Sequence, residues 1–448
     1  MNWQGQHVLV LGLGSSGYAA AVWLARRGAQ VRVADQSTSP PMRSTLQAAW
    51  PQILIRLGGW AEEDSIWAEQ IVISPGVPMA DPFVRQAIAR GVPVMSDIEV
   101  FARAVPGQAR VIAITGSNGK STVTSMVAEM VQACGLKTRL AGNIGLPALQ
   151  VLDEAPDTQV YVLELSSFQL EAVSSLHCDA AVVLNLSEDH LDRYPDMAAY
   201  AAAKARIYRM ARVQVINRDD AGAAALANSV GQVVRFGLEP PERDSDFGVR
   251  DGRLCRGGQV LWPVKALRVT GRHNVANALA AWALCHALDL PDGPLGQALG
   301  EFRGLPHRVQ WVARIGDVEF YDDSKGTNVG ATEAAVRGMD RPVVLIAGGE
   351  GKGQDFAPLA QAAAGRVRAM VLIGRDAPQI AAALEGSGIA LAMAGTMGEA
   401  VAVAAGLAKP GDAVLLSPAC ASFDMFDNYA HRAQVFVAAV TRLAEGRK

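Results

Sequence analysis

Short apolar runs alternate along this chain with longer stretches whose apolar residues recur at helical spacing. His7–Leu11, Val31–Asp35, Ile71–Ser74 and Val92–Met95 predict buried parallel strands, and Ser16–Arg27 predicts a helix between the first two. A second series runs through Val111–Thr115, Val160–Leu165 and Ala181–Asn185. A third takes in Val318–Tyr321, Val343–Ala347, Met370–Ile373 and Ala413–Ser417. Alanine-rich helical stretches lie between these strands. The pattern predicts an α/β protein of three consecutive units, residues 1–98, 99–304 and 305–448. Phe236–Lys265, rich in Gly, Arg and Asp with short apolar alternation, predicts a small antiparallel excursion inside the middle unit.

Composition narrows the picture. The chain has 448 residues, too many for one ordinary core, with 50% hydrophobic and 19% charged positions. Lysine plus arginine against aspartate plus glutamate gives 41 − 44 = −3, with no long basic run. Nucleic acid and anionic membrane surfaces are poor partners for such a chain. Cys134, Cys178, Cys255, Cys285 and Cys420 are far apart, odd in number and without a C-x-x-C pair, which predicts free thiols in a reducing compartment. The stretch His7–Ala25 lacks charge, but Gly12, Gly14, Ser15, Ser16 and Gly17 interrupt it, as suits a strand–turn–helix rather than a membrane span. The expectation is a soluble cytoplasmic protein.

Chemistry enters first at Gly12-Leu13-Gly14-Ser15-Ser16-Gly17, directly after a strand and opening a helix, with Asp35 ending the next strand. Glycines let the backbone approach a diphosphate, the helix N-terminus supplies N–H donors, and the acid is spaced to reach a ribose. The diphosphate of NAD, FAD or a UDP-sugar would fit equally. The second motif is Thr115-Gly116-Ser117-Asn118-Gly119-Lys120-Ser121-Thr122, again between strand and helix. Its glycines would cradle nucleotide phosphates, Lys120 would neutralise the β/γ-phosphates, and the Ser121 or Thr122 hydroxyl would reach Mg²⁺. The loop is shorter than the common form, since Ile114 stands where a first glycine would be.

Glu164 and His190 follow later strands of the same unit. Carboxylate, imidazole and phosphate oxygens together suit Mg²⁺, although singly each residue is an ordinary strand-end acid or loop histidine. Asn274 and Asn277, three apart at a helix start, could both read an adenine edge or merely cap the helix. The third unit has four polar, glycine-punctuated strand-to-loop junctions: Gly304–Arg308, Tyr321–Asn328, Gly348–Gly353 and Leu416–Asp424.

Together the shortened phosphate loop, the His190 segment, Gly271-Arg272-His273-Asn274-Val275-Ala276-Asn277 and Leu305-Pro306-His307-Arg308 resemble the Mur ligase family, over nearly the whole chain from Gly12 to Tyr429. Asp323-Ser324-Lys325 with Thr327-Asn328, and Ser417–Asp424, are similar to its D-glutamate-adding members. The resemblance implies Rossmann-like N- and C-terminal domains around a central P-loop ATPase-like parallel sheet. It implies a monomeric enzyme of peptidoglycan precursor synthesis that adds D-glutamate to UDP-N-acetylmuramoyl-L-alanine at the expense of ATP. Gly14, Ser15, Ser16 and Asp35 would then hold UDP, with Ser74, Pro75 and Gly76 at the uracil end. Gly116, Ser117, Asn118, Gly119, Lys120, Ser121 and Thr122 would bind ATP phosphates, and Asn143, Asn274 and Asn277 would contact adenine. Arg308 and Asp323 would reach ATP from the C-terminal unit. Lys325, Thr327, Lys352, Ser422 and Phe423 would shape the glutamate site. Two Mg²⁺ ions would be held by Ser121, Glu164, His190 and a carbamylated Lys204. Read from its neighbours alone, Lys204 is a solvated helix lysine.

The implied chemistry begins with attack of the alanine carboxylate on the γ-phosphate, giving an acyl phosphate and ADP. The glutamate amine then attacks the acyl carbon and phosphate leaves, with Lys120, His190 and the metals stabilising the oxyanion. The residues do not identify the base for the amine, and closure of the C-terminal unit would assemble the site. A nicotinamide oxidoreductase would leave Lys120 and Ser121 without a role, and a non-catalytic nucleotide binder would need neither Glu164 nor His190.

Overall fold

A computed structural model describes residues 2–229, 231–269 and 271–446. The first sheet contains β1 (His7–Leu11), β2 (Gln30–Asp35), β3 (Leu54–Leu57), β4 (Gln70–Ile73) and β5 (Val94–Ser96), all parallel, in the order β3-β2-β1-β4-β5. Chain order reverses between β1 and β4, so the loops after their carboxyl ends diverge and leave a crevice there. The second sheet has nine strands: β6 (Arg110–Thr115), β7 (Thr138–Gly142), β8 (Val160–Glu164), β9 (Cys178–Val183), β10 (Ala211–Asn217), β11 (Gln232–Phe236), β12 (Phe247–Arg250), β13 (Arg253–Arg256) and β14 (Gln259–Pro263). Their order is β14-β13-β12-β11-β10-β9-β6-β8-β7, with only β12–β14 antiparallel to one another. The third sheet has the order β15-β16-β20-β17-β18-β19, from β15 (Gln310–Ile315), β16 (Val318–Asp322), β17 (Val343–Gly348), β18 (Val367–Ile373), β19 (Ala390–Met393) and β20 (Ala413–Leu416). Its one antiparallel pairing is β15 with β16.

The strands with continuous apolar runs occupy the sheet centres, where both faces are covered. β6, β8, β17 and β20 are buried over nearly their whole length. Several strands have no such run and escape the sequence pattern. β3 is an exposed edge strand, β10 alternates polar with apolar residues, and β19 is another largely exposed edge. The antiparallel excursion expected over Phe236–Lys265 is present as β12–β14.

The chain forms two compact units. One comprises residues 1–186, 198–264 and 277–300 and contains the first two sheets; the other comprises 187–197, 265–276 and 301–448 and contains the third. Inside the first unit the helix Asp97–Ala104 joins the two sheets, so a domain cut at residue 98 falls within a helix. Ser96 caps it, accepting from the Glu99 N–H at 3.2 Å. The buried Glu99 carboxylate accepts from Ser174 N, Ser175 N, Ser175 Oγ and Arg103 Nε at 2.6–3.0 Å. Burial pushes its pKa up, but these donors outweigh burial and leave it below the usual range.

Asp97, two residues earlier, is in the opposite position. It is 2% exposed, and neither carboxylate oxygen has a hydrogen-bond partner. Burial raises it to about 6; the Ile98 N–H, the Ser16 hydroxyl and the Gln169 amide face it but offset this only in part. The stabilising state is therefore the protonated one. It is fully present below the unfolded value near 3.8 and is lost as pH rises through about 6. Asp97→Asn is expected to gain about 3 kcal/mol on the wild type between pH 4 and pH 7. Denaturant unfolding at pH 4, 6 and 8 measures this; a constant difference across that range would refute it.

All five cysteines are free, four of them buried. Among the described residues no helix is long and apolar enough to cross a membrane.

Candidate active site

The crevice at the carboxyl ends of β1 and β4 is a cleft of about 390 Å³ lined by Gly12–Ser16, Asp35, Gln36, Trp60 and Ser74–Pro78. Every residue expected to hold UDP lies on it. The helix Ser15–Arg26 opens there with no acidic residue in its first turn, so its N–H groups and dipole face the cleft unopposed. Gly17 must be glycine, because a Cβ there would stand 1.9 Å from the Gly12 carbonyl oxygen. The structure adds a role to Asp35. Its Oδ2 accepts from Leu13 N at 2.6 Å and its Oδ1 from Ser37 N at 2.7 Å, so the carboxylate anchors the glycine loop to β2, and each oxygen keeps further acceptor capacity. Trp60 and Gln36, absent from the sequence reading, complete the wall, and Asp81 Oδ2 accepts from both. A tryptophan just after Gly58-Gly59 at a strand end was the available signal.

The phosphate loop rises from β6, the strand flanked by β9 and β8. Its helix, Lys120–Ala133, also has no acid in its first turn. Gly119 caps it at φ 81°, and a Cβ there would lie 2.7 Å from Asn277 Oδ1, which places the Asn277 amide directly against the loop. Lys120 Nζ donates to the Gly116 and Ser117 carbonyls, each at 2.8 Å. Asn185, just past β9, clamps the loop from below. It accepts Asn118 N on Oδ1 at 2.8 Å and returns Nδ2 to Asn118 O at 3.0 Å, while its carbonyl accepts Ser117 N. Ser117 Oγ lies 3.1 Å from Tyr200 OH. Asn185 and Tyr200 were not assigned from sequence; a polar residue ending the strand beside the loop was the only hint of the first.

Glu164 pairs across the ladder with Ile114, at the root of the same loop. Its side chain is buried, Oε1 accepts from Asn143 Nδ2 at 3.0 Å, and Oε2 has no partner. A buried carboxylate oxygen left unsatisfied beside a phosphate loop is a fit for a cation. The Asn143 amide, expected at adenine, is in the structure the group that orients this carboxylate.

Lys204 overturns the reading drawn from its neighbours: it is 2% exposed, not solvated. Its Nζ donates to Gly116 O at 2.9 Å and Thr115 Oγ1 at 3.4 Å, and lies 4.6 Å from the Tyr200 ring centroid. Two ammonium groups, those of Lys120 and Lys204, thus share the Gly116 carbonyl oxygen. Among the described residues no three His, Cys, Asp or Glu side chains cluster as a metal site.

The second unit gathers its own set. The register pairs Asp322 with Leu416, so the loops after β16 and β20 are adjacent. Asp322 Oδ2 lies 2.6 Å from His307 Nδ1. Asp323, expected to reach ATP, is buried and accepts from Ser417 Oγ at 2.7 Å and Val309 N at 3.3 Å. Burial raises it to about 7, against the pull of Ser417 and Arg308. Burial and the Arg308 charge also hold the His273 imidazole below its ordinary value. Asn274 sits in the turn opening the helix Arg272–His286, its N–H donating to Gly271 O. Lys325 Nζ lies 3.8 Å from the Tyr429 ring centroid, and Thr327 bonds back to Lys325. Lys352, at φ 54°, donates to Asp189 Oδ1 at 2.6 Å; Asn328 Nδ2 donates to the other oxygen, Oδ2, at 3.2 Å. His190, beside Asp189, takes φ 57°. Ser422 is buried, whereas Phe423 is 71% exposed.

Three family models match the chain: "Mur ligase MurD-like, N-terminal domain" over residues 6–96, "Mur ligase middle domain" over 114–285 and "Mur ligase, glutamate ligase domain" over 307–420. The chain is 57% identical to the UDP-N-acetylmuramoylalanine–D-glutamate ligase of Methylobacillus flagellatus, covering 98% of this chain and 97% of that protein. It is 56% identical to the protein of the same name from Thiobacillus denitrificans, covering 99% and 98%. Among solved structures, the UDP-N-acetylmuramate-alanine ligase MurC of Thermotoga maritima matches with TM-score 0.60 at 19% identity, over 97% of this chain and 99% of that one. A pseudomurein peptide ligase type C from Methanothermus fervidus matches with TM-score 0.63 at 18% identity, over 98% and 100%. At such identities these last two speak for the fold.

Proposed function

The chain belongs to the Mur ligase family, and from that premise we propose that it joins D-glutamate to UDP-N-acetylmuramoyl-L-alanine in peptidoglycan precursor synthesis, using ATP. The observation that carries the chemistry is the phosphate loop at the root of β6 with the unpartnered Glu164 oxygen beside it. UDP lies in the cleft around Gly14–Ser16 and Ser74–Gly76, its diphosphate on the helix that begins at Ser15, with Trp60 offering a flat apolar face. ATP phosphates lie on Gly116–Thr122. Lys120 leaves its two loop carbonyls for the γ-phosphate as the alanine carboxylate attacks and ADP departs. Asn185 and Tyr200 keep the loop backbone in shape during that exchange. Glutamate's amine then attacks the acyl carbon and inorganic phosphate leaves, with Lys120 near the developing oxyanion.

Mg²⁺, when bound, neutralises phosphate charge. Glu164 Oε2 and the Ser121 hydroxyl would hold one ion. A carbamate on Lys204 would supply the oxygens of a further site, and His190 keeps the ligand role implied by family resemblance. Carbamylation also relieves the crowding of two cations on Gly116 O, because it exchanges an ammonium for an anion. Lys325, Thr327, Lys352, Ser422 and Phe423 form the glutamate site on the second unit. We propose a cytoplasmic monomer.

The test is ATP-dependent phosphate release with the UDP-linked acceptor and either glutamate enantiomer. Release is expected with D-glutamate and at least tenfold less with L-glutamate, a discrimination of about 1.4 kcal/mol. Equal release with both enantiomers, or release without the UDP compound, would contradict this assignment.

A further inference from the structure

The loops after β16 and β20 are held to each other by a residue on neither. Arg432 lies in the first turn of the helix Tyr429–Glu445 and is fully buried. Its Nε donates to Ser324 Oγ at 3.0 Å and its Nη2 to Ser324 O at 2.8 Å. Its Nη1 is shared between the carbonyls of Cys420 at 3.1 Å and Ala421 at 3.3 Å. Ser324 Oγ in turn donates to Tyr429 O at 2.8 Å, closing the network back onto the same helical turn. Among the described residues no carboxylate lies within ion-pair distance of the guanidinium; every acceptor is neutral. Burial lowers it to about 10, so it remains charged at neutral pH.

A buried cation with no carboxylate in direct contact, only the charges of Asp424, Asp322 and Asp323 at longer range, is costly, and an apolar side chain could fill the space at less expense. What an apolar side chain cannot do is span two loops with a rigid fork of donors. Both loops carry the proposed glutamate residues: Lys325 and Thr327 follow Ser324, and Ser422 and Phe423 follow Ala421. The same helical turn supplies the Tyr429 ring on which Lys325 rests. Asn428, its N-cap, accepts from His431 N at 2.9 Å, so the turn is itself fixed.

We infer that Arg432 is the positioning residue of the amino-acid site, locking the 323–327 and 420–423 loops into one register so that their side chains can grip the carboxylates of glutamate. This rests on the glutamate reading given above. Arg432 itself does not touch substrate. It acts through Ser324 and the Cys420 and Ala421 carbonyls, so its loss should weaken the amino acid's binding and spare the nucleotides'.

The experiment is steady-state phosphate release with all three substrates varied in turn, for the full chain and for Arg432→Lys and Ser324→Ala, with a thermal melt for each. Arg432→Lys keeps the charge and loses the fork; it should raise KM for D-glutamate about tenfold, with KM for ATP and for the UDP-linked acceptor within twofold. Ser324→Ala removes the Nε acceptor and the link to Tyr429, and should raise the same KM about threefold. If Arg432→Lys does not fold, Ser324→Ala decides. A folded variant with wild-type KM for glutamate, or with all three KM values raised alike, overturns the inference. A wild-type enzyme without glutamate-dependent release overturns the functional reading instead.

Discussion

Lys120→Ala is expected to lower ATP-dependent phosphate release by about 10²–10³-fold while the protein remains folded. Lys120 Nζ donates to two carbonyls of its own loop, whose backbone is independently held by Asn185 through Asn118 and Ser117. Removing the lysine therefore leaves loop geometry with other support, and the Gly116 carbonyl keeps its second donor, Lys204 Nζ. Charge on the phosphate being transferred has no such substitute. The lost stabilisation, about 3–4 kcal/mol, falls on the transition state rather than on substrate binding. Stopped phosphate-release assays measure the rate, and circular dichroism with titration of the UDP-linked acceptor checks fold and cleft. A folded variant turning over at near the wild-type rate would remove the loop from catalysis.

Lys204→Ala is expected to be nearly inactive and to regain part of its turnover in acetate but not in chloride at equal ionic strength. As an ammonium, Lys204 bonds the same carbonyl oxygen as Lys120 and adds positive charge where Mg²⁺ must bind. As a carbamate it would offer two oxygens. Acetate has that oxygen pair and chloride does not. Lys204→Arg should also fail, because guanidinium keeps its charge and is not carbamylated in the same way. Intact-protein mass after exposure to bicarbonate reads the modification itself, as the added mass of one carbon dioxide. An unmodified mass with full activity in the arginine variant would remove the carbamate and leave the ligase reading on Lys120 and Glu164.

The sequence made the sheet centres and their loops legible for one physical reason. A strand covered on both faces must be apolar throughout, and the glycines that end it mark where backbone has to turn or meet an anion. β6 and its loop, β1 and its loop, and the Asp322 and Leu416 junctions were all visible this way. Edge strands such as β3 and β19 carry mixed residues because solvent is an acceptable neighbour. Lys204 was misread from its surroundings because burial of a lysine depends on what folds against it, which local spacing does not report. Spacing locates the Asp35 carboxylate, and only geometry shows that it also accepts from Leu13 N and Ser37 N. Arg432 left no trace at all, since its partners are main-chain carbonyls and a serine more than a hundred residues upstream.

That arrangement also imposes an order in time on the newborn chain. Ribosomes deliver residues 323–327 and then 420–423, and only afterwards the turn that joins them. The sheets can condense as their strands emerge, because each already carries its own apolar payload. Ser417 with Asp323 and the Glu350–Ala421 pairing can tie these loops beforehand, but the bridge from Ser324 to the Cys420 and Ala421 carbonyls is missing until Arg432 is out and buried. Completion of this bridge is thereby a late event in synthesis of the domain, fixed by the place of Arg432 in the chain.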